Sequence, residues 1–491
     1  MGLCLLFAAG SSVVGAAEAG DNQSAPPTRP NVLFIAVDDL RPEIAVFGEK
    51  GVATPNLDRL AGTGTRFTRA YCQFPVCGPS RASLMSGLRP TDTRFVIDRR
   101  QPSLESDAPG ALTLNRHFRD NGYATAALGK IYHDRDDDLP GWSVPGWNAK
   151  MPHNHYALPE NRAALKANGQ YGPATECADV PDNAYPDGII ADEAVRRIEE
   201  AAAEGTPFFL AVGFWRPHLP FNAPKRYWDT YPEDSILLSE NSDAPKGIPG
   251  IAMHNHPELR GYADIPKGDD PIPESLARRL VHGYRAAVSY SDAQVGRLLD
   301  ALDRTGLGER TIVVLWGDHG WHLGDNGLWG KESLFERALR VPLIVSAPGL
   351  PGGQSSSALV DLVDLYPTLC ELAGLSVPPH LEGESLAPLL SAPDRSWKNA
   401  SVSCFIRPDR NKRGWSLRDN RYRYSEWTDA KGGGLERVLF DLQEDPQESR
   451  NLADDPAHAQ TGADLAGKLV AERKKSAGSM SPSAAGPPGH Q

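Results

Sequence analysis

Four runs of consecutive apolar residues each predict a buried β-strand. They are NVLFIAVDDL (31–40), PFFLAVGFWRPH (207–218), TIVVLWGDHG (311–320) and VPLIVSAPG (341–349). Because their hydrophobicity is continuous rather than alternating, both faces of these strands should be covered, as in a parallel or mixed sheet. Helical spacing of apolar residues occurs in PNLDRLAGTG (55–64), DGIIADEAVRRIEEAAAEG (187–205) and SLARRLVHGYRAAVSYSDAQVGRLLDALDRTG (275–306). The pattern therefore predicts an α/β fold class, with helices on both faces of the sheet.

The pattern changes after about residue 395. SVSCFIRP, GWSLRDNRYRYSEW and ERVLFDLQEDP are typical of short strands joined by charged turns, which predicts a smaller sheet-containing C-terminal domain. We assign residues 30–395 to a catalytic domain, 396–474 to a C-terminal subdomain, and 475–491, which are poor in apolar residues, to a disordered tail. The long connections 134–186 and 219–270 are expected to form part of a substrate-binding wall.

The composition and net charge of the chain limit the kinds of molecule that it can bind. The chain has 491 residues, of which 40 % are hydrophobic, so it can bury a large core. Its formal net charge is -12, which argues against nucleic acid as a partner, because proteins that bind nucleic acid present a basic surface. An anionic substrate would therefore have to be bound by a local cluster of cations.

The first 19 residues predict a signal peptide. An apolar stretch is followed by small residues, and Ala17-Glu18-Ala19 fits an A-x-A cleavage site, although no Lys or Arg precedes the apolar stretch. We therefore expect a periplasmic or secreted protein. No other run reaches the roughly 18 apolar residues of a membrane helix, so no stable membrane span is expected.

Two of the predicted strands end in polar pairs that are candidate metal ligands. Asp38-Asp39 follows the first strand and Asp318-His319 follows the third. Ligands of open α/β sheets gather at the carboxyl ends of strands, so these side chains are expected to meet there and to form a divalent-metal site. Taken alone, Asp-Asp after a strand is more often a helix cap or a turn, and Asp-His-Gly is short enough to arise by chance.

Cys77 lies just before a predicted helix. The sequence CGPSRASL favours a helix start at Pro79 or Ser80, and a thiol at a helix N-terminus is expected to have a lowered pKa and to be reactive. The alternative is a structural cysteine or a disulfide with Cys72. Five cysteines follow the predicted signal peptide, an odd number that leaves at least one thiol unpaired.

The stretch around Cys77 resembles the signature of the sulfatase family. The matching residues are Cys77-Gly78-Pro79-Ser80-Arg81, then Leu84 and Ser86-Gly87. Further segments are similar to the family in the same order, among them ALGKIYH, GDHGWHLGDNGLWGK and LFDLQEDPQESRNLA, and DDLRP with DHGW resembles the iduronate-2-sulfatase-like branch. The resemblance implies an alkaline-phosphatase-like α/β/α sandwich with a smaller sheet-containing C-terminal domain.

The resemblance also implies a set of site residues. Cys77 would be oxidised to formylglycine, whose hydrate supplies the nucleophile that attacks sulfur. Calcium would be the metal, with magnesium less favoured, although an imidazole is an unusual ligand for either. The metal ligands would be Asp38, Asp39, Asp318, His319 and an oxygen of the modified Cys77. The catalytic residues would be Cys77, Arg81, Lys130, His133, His218 and Lys331. Arg81 would steady the hydrate, and Lys130 and His133 would contact the hydrate and the sulfate. His218 and Lys331 would hold sulfate and protonate the departing alcohol.

The implied function is hydrolysis of a sulfate ester of a carbohydrate, such as a 2-O-sulfated uronate like iduronate 2-sulfate. Partners would be a sulfated oligosaccharide or polysaccharide and a formylglycine-generating maturation enzyme. Two alternatives stay open: a phosphoester or phosphonate hydrolase on the same fold, and a sulfated-glycan-binding protein in which Cys77 is never matured. Beyond the predicted helix, Arg89, Arg94, Arg99 and Arg100 would either contact glycan anions or form a solvated face. RYRYSEW would edge the pocket or form an ordinary strand.

Overall fold

The computed structural model describes residues 29–48, 51–98, 102–133, 137–268 and 270–477. The predicted signal peptide, residues 1–19, lies outside the described residues. The strands are β1 (Asn31–Val37), β2 (Thr65–Tyr71), β3 (Ala124–Gly129), β4 (Thr175–Ala178), β5 (Phe208–Phe214), β6 (Phe221–Pro224), β7 (Thr311–Gly317), β8 (His322–Leu323), β9 (Trp329–Gly330), β10 (Arg340–Val341), β11 (Leu343–Ser346), β12 (Gln354–Asp361), β13 (Ser401–Arg407), β14 (Lys412–Arg418), β15 (Tyr422–Thr428) and β16 (Glu436–Asp441).

The helices include all three that the sequence predicts, as α1, α6 and α8. In chain order they are α1 (Pro55–Thr63), α2 (Cys77–Ser86), α3 (Leu104–Asp107), α4 (Leu114–Asp120), α5 (Pro159–Asn168), α6 (Pro186–Glu204), α7 (Lys225–Trp228), α8 (Glu274–Arg304), α9 (Glu336–Leu339), α10 (Leu365–Leu372), α11 (Ala387–Ser391) and α12 (Ala459–Ala477). Among the described residues no helix is both long and apolar enough to cross a bilayer.

A mixed eight-stranded sheet forms the centre of the protein. Its order is β10-β2-β11-β7-β1-β5-β3, with β12 paired to β2. The four strands β3, β5, β1 and β7 run parallel to one another, and β11 is antiparallel to both of its neighbours. The four apolar runs are the strands β1, β5, β7 and β11, as the sequence predicts.

Both faces of the sheet are buried, as the continuous apolar runs indicate. Val32, Phe34 and Ala36 of β1 join a core that includes residues of α2, α4 and α10. The alternate residues of β1 join a second core, shared with α1, α6 and α8. The predicted α/β/α sandwich is therefore confirmed.

The strand register brings the polar strand ends together. Val37, the last residue of β1, pairs with Gly317 at the end of β7 and with Phe214 at the end of β5. Gly129 at the end of β3 pairs with Gly213. A Cβ on Gly213 would lie 1.9 Å from the carbonyl oxygen of Lys130, so only glycine allows the chain to leave β3 so close to β5. The residues that follow all four strands therefore meet at one edge.

The C-terminal region forms an antiparallel sheet in the order β13-β14-β15-β16, which confirms the predicted smaller sheet. The predicted domain boundary at 395 falls between α11 and β13. The sheet packs into the core that also holds α2, and Ser403 Oγ donates to the carbonyl oxygen of Cys72 (2.6 Å). The helix α12 continues to Ala477, and residues 478–491 of the predicted tail lie outside the described residues.

Candidate active site

Cys77 is the first residue of α2, two or three residues earlier than the predicted helix start at Pro79 or Ser80. The prediction placed proline at the first helical position, but Gly78 and Pro79 fit inside the first turn, where backbone N–H groups have no partner within the helix. All ten residues of α2 are buried. The helix ends at Gly87, whose φ of 70° is left-handed, and a Cβ there would lie 2.3 Å from Leu381 Cδ2.

The Cys77 thiol lies within a cluster of charged groups. Its Sγ is 3.2 Å from His319 Nε2, 3.5 Å from Lys331 Nζ and 3.9 Å from Asp39 Oδ1. Burial, reinforced by the Asp38 and Asp318 carboxylates, raises the pKa of the thiol well above its usual value. The lowered pKa expected from the helix N-terminus is therefore wrong, because desolvation outweighs the helix dipole. An unmodified Cys77 would be a protonated thiol and a poor nucleophile at neutral pH.

Asp38 is held by two cations. Lys130 Nζ lies 2.5 Å from Asp38 Oδ2, and Arg81 Nη2 lies 3.2 Å from Asp38 Oδ1. Burial alone would raise the pKa of Asp38, but Lys130, His218 and Arg81 together hold it well below the usual range. Lys130 also lies 4.9 Å from the centre of the Trp215 ring. Asp38 is therefore an anion that the fold stabilises before any ligand binds.

Arg81 faces the aspartates. Its Nε donates to Asp318 Oδ2 (2.8 Å), and Nη1 donates to the carbonyl oxygens of Lys130 and Ile131. The guanidinium is fully buried. Arg81 thus ties the ends of β1, β3 and β7 together; its expected role at the hydrate of residue 77 stays a prediction.

Asp39 adopts an unusual backbone conformation. Its φ is 58°, a left-handed value that aspartate tolerates better than most residues. The backbone N–H donates to Asp318 Oδ1 (3.0 Å), and the carbonyl oxygen accepts from the Tyr284 hydroxyl (2.8 Å). Tyr284 belongs to α8, so this long helix fixes a strand end at the site. No feature of the sequence indicates that contact.

His319 presents its Nε2 atom to the carboxylates. Its Nδ1 lies 3.0 Å from the carbonyl oxygen of Gly320, which can only accept, so Nδ1 carries a proton. Nε2 lies 3.3 Å from Asp39 Oδ1 and 3.6 Å from Asp318 Oδ1. In the neutral ring the Nε2 lone pair would face these anionic oxygens.

A divalent cation would fit this set of donors. Ligand atoms of Asp38, Cys77, Asp318 and His319 all lie within 4.8 Å of one another, as do those of Asp38, Asp39, Cys77 and His218. Carboxylate oxygens are the ligands that calcium and magnesium prefer, and His319 Nε2 would add one imidazole nitrogen to them. All five sequence-predicted metal ligands therefore come together.

His218 and Lys331 lie on the Asp39 side of the site. Lys331 Nζ is 3.0 Å from Asp39 Oδ1, and His218 Nε2 is 3.9 Å from Asp39 Oδ2. Burial would lower the pKa of His218, but the Asp39 and Glu258 carboxylates outweigh it and raise the pKa. Glu258 accepts from both cations, at 3.1 Å from His218 Nε2 and 3.2 Å from Lys331 Nζ. Sequence reasoning missed Glu258, which is a lone glutamate in a long connection.

His133 lines a cavity beside the cluster. The cavity has a volume of about 410 Å³, and its wall includes Lys130, His133, His153 and Trp215. The His153 ring stacks on Trp215 at a centroid distance of 4.8 Å. His153 and Glu258 come from the connections 134–186 and 219–270, in which a substrate-binding wall was expected. The structure thus brings Lys130 and His133 together in the wall of this cavity, and His218 and Lys331 together beside Asp39.

The other arginines are engaged within the fold. Arg89 pairs with Asp361 (2.7 Å) and Arg94 with Glu382 (2.9 Å), so both arginines neutralise carboxylates of this chain. Arg99 and Arg100 lie outside the described residues. Arg423 of RYRYSEW is buried against Glu336 and Glu448, which favours the ordinary-strand interpretation of that segment.

The five cysteines within the described part of the chain, Cys72, Cys77, Cys177, Cys370 and Cys404, are all free thiols. The alternative of a disulfide between Cys72 and Cys77 is therefore wrong. Cys72 Sγ points instead to the carbonyl oxygen of Ala338.

Comparison with known proteins identifies the family. The sulfatase family model matches residues 30–375, and a model described as N-sulphoglucosamine sulphohydrolase, C-terminal, matches residues 324–475. Iduronate 2-sulfatase of Mus musculus is 32 % identical in an alignment that covers 87 % of this chain and 91 % of the mouse chain. The Homo sapiens enzyme is 36 % identical over 393 residues, 71 % of this chain and 70 % of its own.

A solved structure shows the same fold. A protein determined in complex with its substrate D-glucosamine-2-N,6-O-disulfate superposes with a TM-score of 0.73 at 22 % identity, covering 91 % of this chain and 98 % of that one. The family match spans the sheet, the Cys77 helix and the edge where the strand ends meet. The chain therefore belongs to the sulfatase family of sulfuric ester hydrolases.

Proposed function

We propose that this protein removes sulfate from a sulfated carbohydrate, with formylglycine formed from Cys77 as the nucleophile and a calcium ion held by the carboxylates around it. The observation that carries the proposal is the position of Cys77. Its thiol is buried, has a raised pKa and is surrounded by Asp39, His319 and Lys331. A thiol in this state is unsuited to attack, whereas an aldehyde hydrate at the same position would offer a hydroxyl to a bound sulfate.

The proposed metal ligands are Asp38, Asp39, Asp318, His319 and an oxygen of the modified residue 77. A bound divalent cation supplies charge that lowers the pKa of the nucleophilic hydroxyl and polarises a sulfate oxygen. Calcium is preferred over magnesium because it tolerates irregular sets of six to eight ligands. His319 is a suitable ligand because the Gly320 carbonyl fixes its tautomer, as a partner of the non-coordinating nitrogen does in many metal sites.

The cations of the site would hold the sulfate group. Lys331 lies 3.5 Å from Cys77 Sγ, so a sulfate beside residue 77 would be within reach of its ammonium group. Lys130 and His218 would complete the anion site from the ends of β3 and β5. As the bond between sulfur and the alcohol oxygen breaks, His218 Nε2 or Lys331 Nζ would deliver a proton to that oxygen.

The cavity beside the cluster supports the proposed substrate class. A volume of about 410 Å³ lies in the range of small-ligand pockets, and its polar wall of histidine, lysine and asparagine suits a sugar. We favour a 2-O-sulfated uronate such as iduronate 2-sulfate, as in the iduronate 2-sulfatases that the chain resembles. The signal-like N-terminus supports a periplasmic or secreted location, and a formylglycine-generating enzyme would act on Cys77.

The test is a comparison of substrates on one purified sample. We expect release of sulfate from defined 2-O-, 6-O- and N-sulfated mono- and disaccharides, with the 2-O-sulfated uronate turned over most rapidly. Faster hydrolysis of phosphate mono- or diesters or of phosphonates would replace the proposal with the alternative hydrolase. Binding of sulfated saccharides without turnover, together with an intact Cys77 thiol, would indicate the glycan-binding alternative.

A further inference from the structure

Glu258 joins the two cations on the Asp39 side of the site. One carboxylate oxygen lies 3.1 Å from His218 Nε2, and the other lies 3.2 Å from Lys331 Nζ. His218 is bound at its other ring nitrogen as well, because Nδ1 lies 2.7 Å from the carbonyl oxygen of Leu219. The ring of His218 is therefore fixed at both ends, and Glu258 provides one of the two fixed points.

Glu258 is itself held firmly by the fold. It directly precedes a short turn of 3-10 helix at Leu259–Gly261, and its carbonyl oxygen accepts from Gly261 N–H (3.1 Å). Leu259, the first residue of the turn, and Tyr262, which follows it, are buried, and Tyr262 stacks on Tyr171. Packing of these neighbours thus fixes the backbone that carries Glu258, as a positioning group requires.

The carboxylate of Glu258 competes with Asp39 for the same two cations. Lys331 Nζ lies 3.0 Å from Asp39 Oδ1 and 3.2 Å from Glu258 Oε2. Without Glu258, both His218 and Lys331 would be drawn towards the Asp39 carboxylate, which lies 3.9 Å from His218 Nε2 and 3.0 Å from Lys331 Nζ. With it, each cation has a second acceptor and stays at a defined distance from Asp39.

We propose that Glu258 is a positioning residue which clamps His218 and Lys331 where one of them can donate a proton to the leaving alcohol oxygen as its bond to sulfur breaks. This inference rests on the proposed function, because it assigns proton donation to that pair. Glu258 acts through the two cations and forms no bond to sulfur. Its removal therefore matters most when the leaving alcohol needs a proton.

The test compares kcat/KM of the variants on two substrates that differ in their leaving group. For Glu258→Gln we expect kcat/KM to fall about 10²- to 10³-fold on a sulfated sugar, whose alkoxide is a poor leaving group, and by less than about tenfold on 4-nitrophenyl sulfate. The amide oxygen still accepts from one cation, while its NH₂ group repels the other. KM for the sugar should change little, and Glu258→Asp should recover part of the loss.

The matched control is Glu193→Gln. Glu193 also bridges two cations, Arg196 and Arg197, so the variant breaks a similar pair of contacts in the middle of α6, outside the site. We expect less than about a threefold change on either substrate, since partly exposed ion pairs contribute little. Should Glu258→Gln fold poorly, Glu258→Asp, which keeps the charge, is expected to show a smaller loss with the same preference for the sugar.

An equal loss on both substrates, or no loss on either, would overturn the assignment. Different results would refute the proposed function itself: a wild-type protein that releases no sulfate, or a Cys77→Ala variant with wild-type activity. A wild-type enzyme that depends on Cys77 and whose Glu258 variants show no leaving-group dependence would refute the clamp alone.

Discussion

Replacement of Arg81 by glutamine should destabilise the protein strongly. Arg81 and its partners Asp38 and Asp318 are all fully buried. After the change, Asp38 keeps Lys130, whereas Asp318 loses its guanidinium partner and keeps the backbone N–H groups of Asp39 and His319. Removing one partner of a buried ion pair costs about 3–5 kcal/mol, because a charge is left uncompensated.

Arg59→Gln is the matched control. Arg59 also bridges two aspartates, at 2.7 Å from Asp300 and 2.5 Å from Asp303, but its side chain is 36 % exposed and those of the aspartates are 57 % and 69 % exposed. Exposed pairs of this kind are worth about 0–1 kcal/mol. The same chemical change should therefore have a several-fold smaller effect on the free energy of unfolding.

The assay is urea unfolding of both variants and the wild type at pH 7 in the presence of a chelator, so that no bound cation replaces the lost charge. We expect a clearly lowered midpoint for Arg81→Gln and a midpoint close to wild type for Arg59→Gln. Equal midpoints for the two variants would refute the reasoning that Arg81 holds the buried carboxylates of β1 and β7 together.

Three further predictions follow from the site and its supports. Cys77→Ala should abolish sulfate release while the far-UV circular dichroism spectrum stays unchanged; residual turnover would contradict the role of residue 77. Chelation should inactivate the enzyme, and Asp318→Asn should lower kcat/KM by about 10²-fold or more; unchanged rates in both would exclude the metal. Burial opposes ionisation of Glu336, but Arg423 and Arg418 outweigh it and lower its pKa to about 2 from 4.5. The ionised carboxylate should therefore stabilise the fold by about 3 kcal/mol above about pH 4.5, and this stabilisation should be lost as the pH falls towards 2. Urea midpoints of wild type and Glu336→Gln should accordingly differ at pH 7 and converge on acidification; a constant difference would contradict the assignment.

The sequence predicted those features that depend on one chain segment at a time. Continuous apolar runs identified β1, β5, β7 and β11, because only strands buried on both faces lack polar alternation. Polar residues placed directly after such strands were predicted to converge, since the carboxyl ends of parallel strands share one edge. Asp38 and Asp318 illustrate this rule, and the register of Val37 with Gly317 accounts for it.

Features that depend on the depth and packing of a residue were missed or wrong. Glu258 lies in a long connection and is indistinguishable in sequence from a solvated glutamate, because its partners His218 and Lys331 are distant along the chain. Tyr284 shares its helical spacing with ordinary core residues. The pKa of Cys77 was predicted in the wrong direction because a helix N-terminus is readable from sequence, whereas complete burial next to carboxylates is not.

The central claim is that residue 77 of the active protein carries an aldehyde. Digestion with trypsin gives the peptide Ala70–Arg81, which contains the residue, and its mass can be compared with that of the unmodified sequence. The account predicts a peptide from active enzyme in which one sulfur and two hydrogens are lost and one oxygen is gained at Cys77, and whose fraction rises in proportion to specific activity. Fully active protein that carries an intact Cys77 thiol would contradict it.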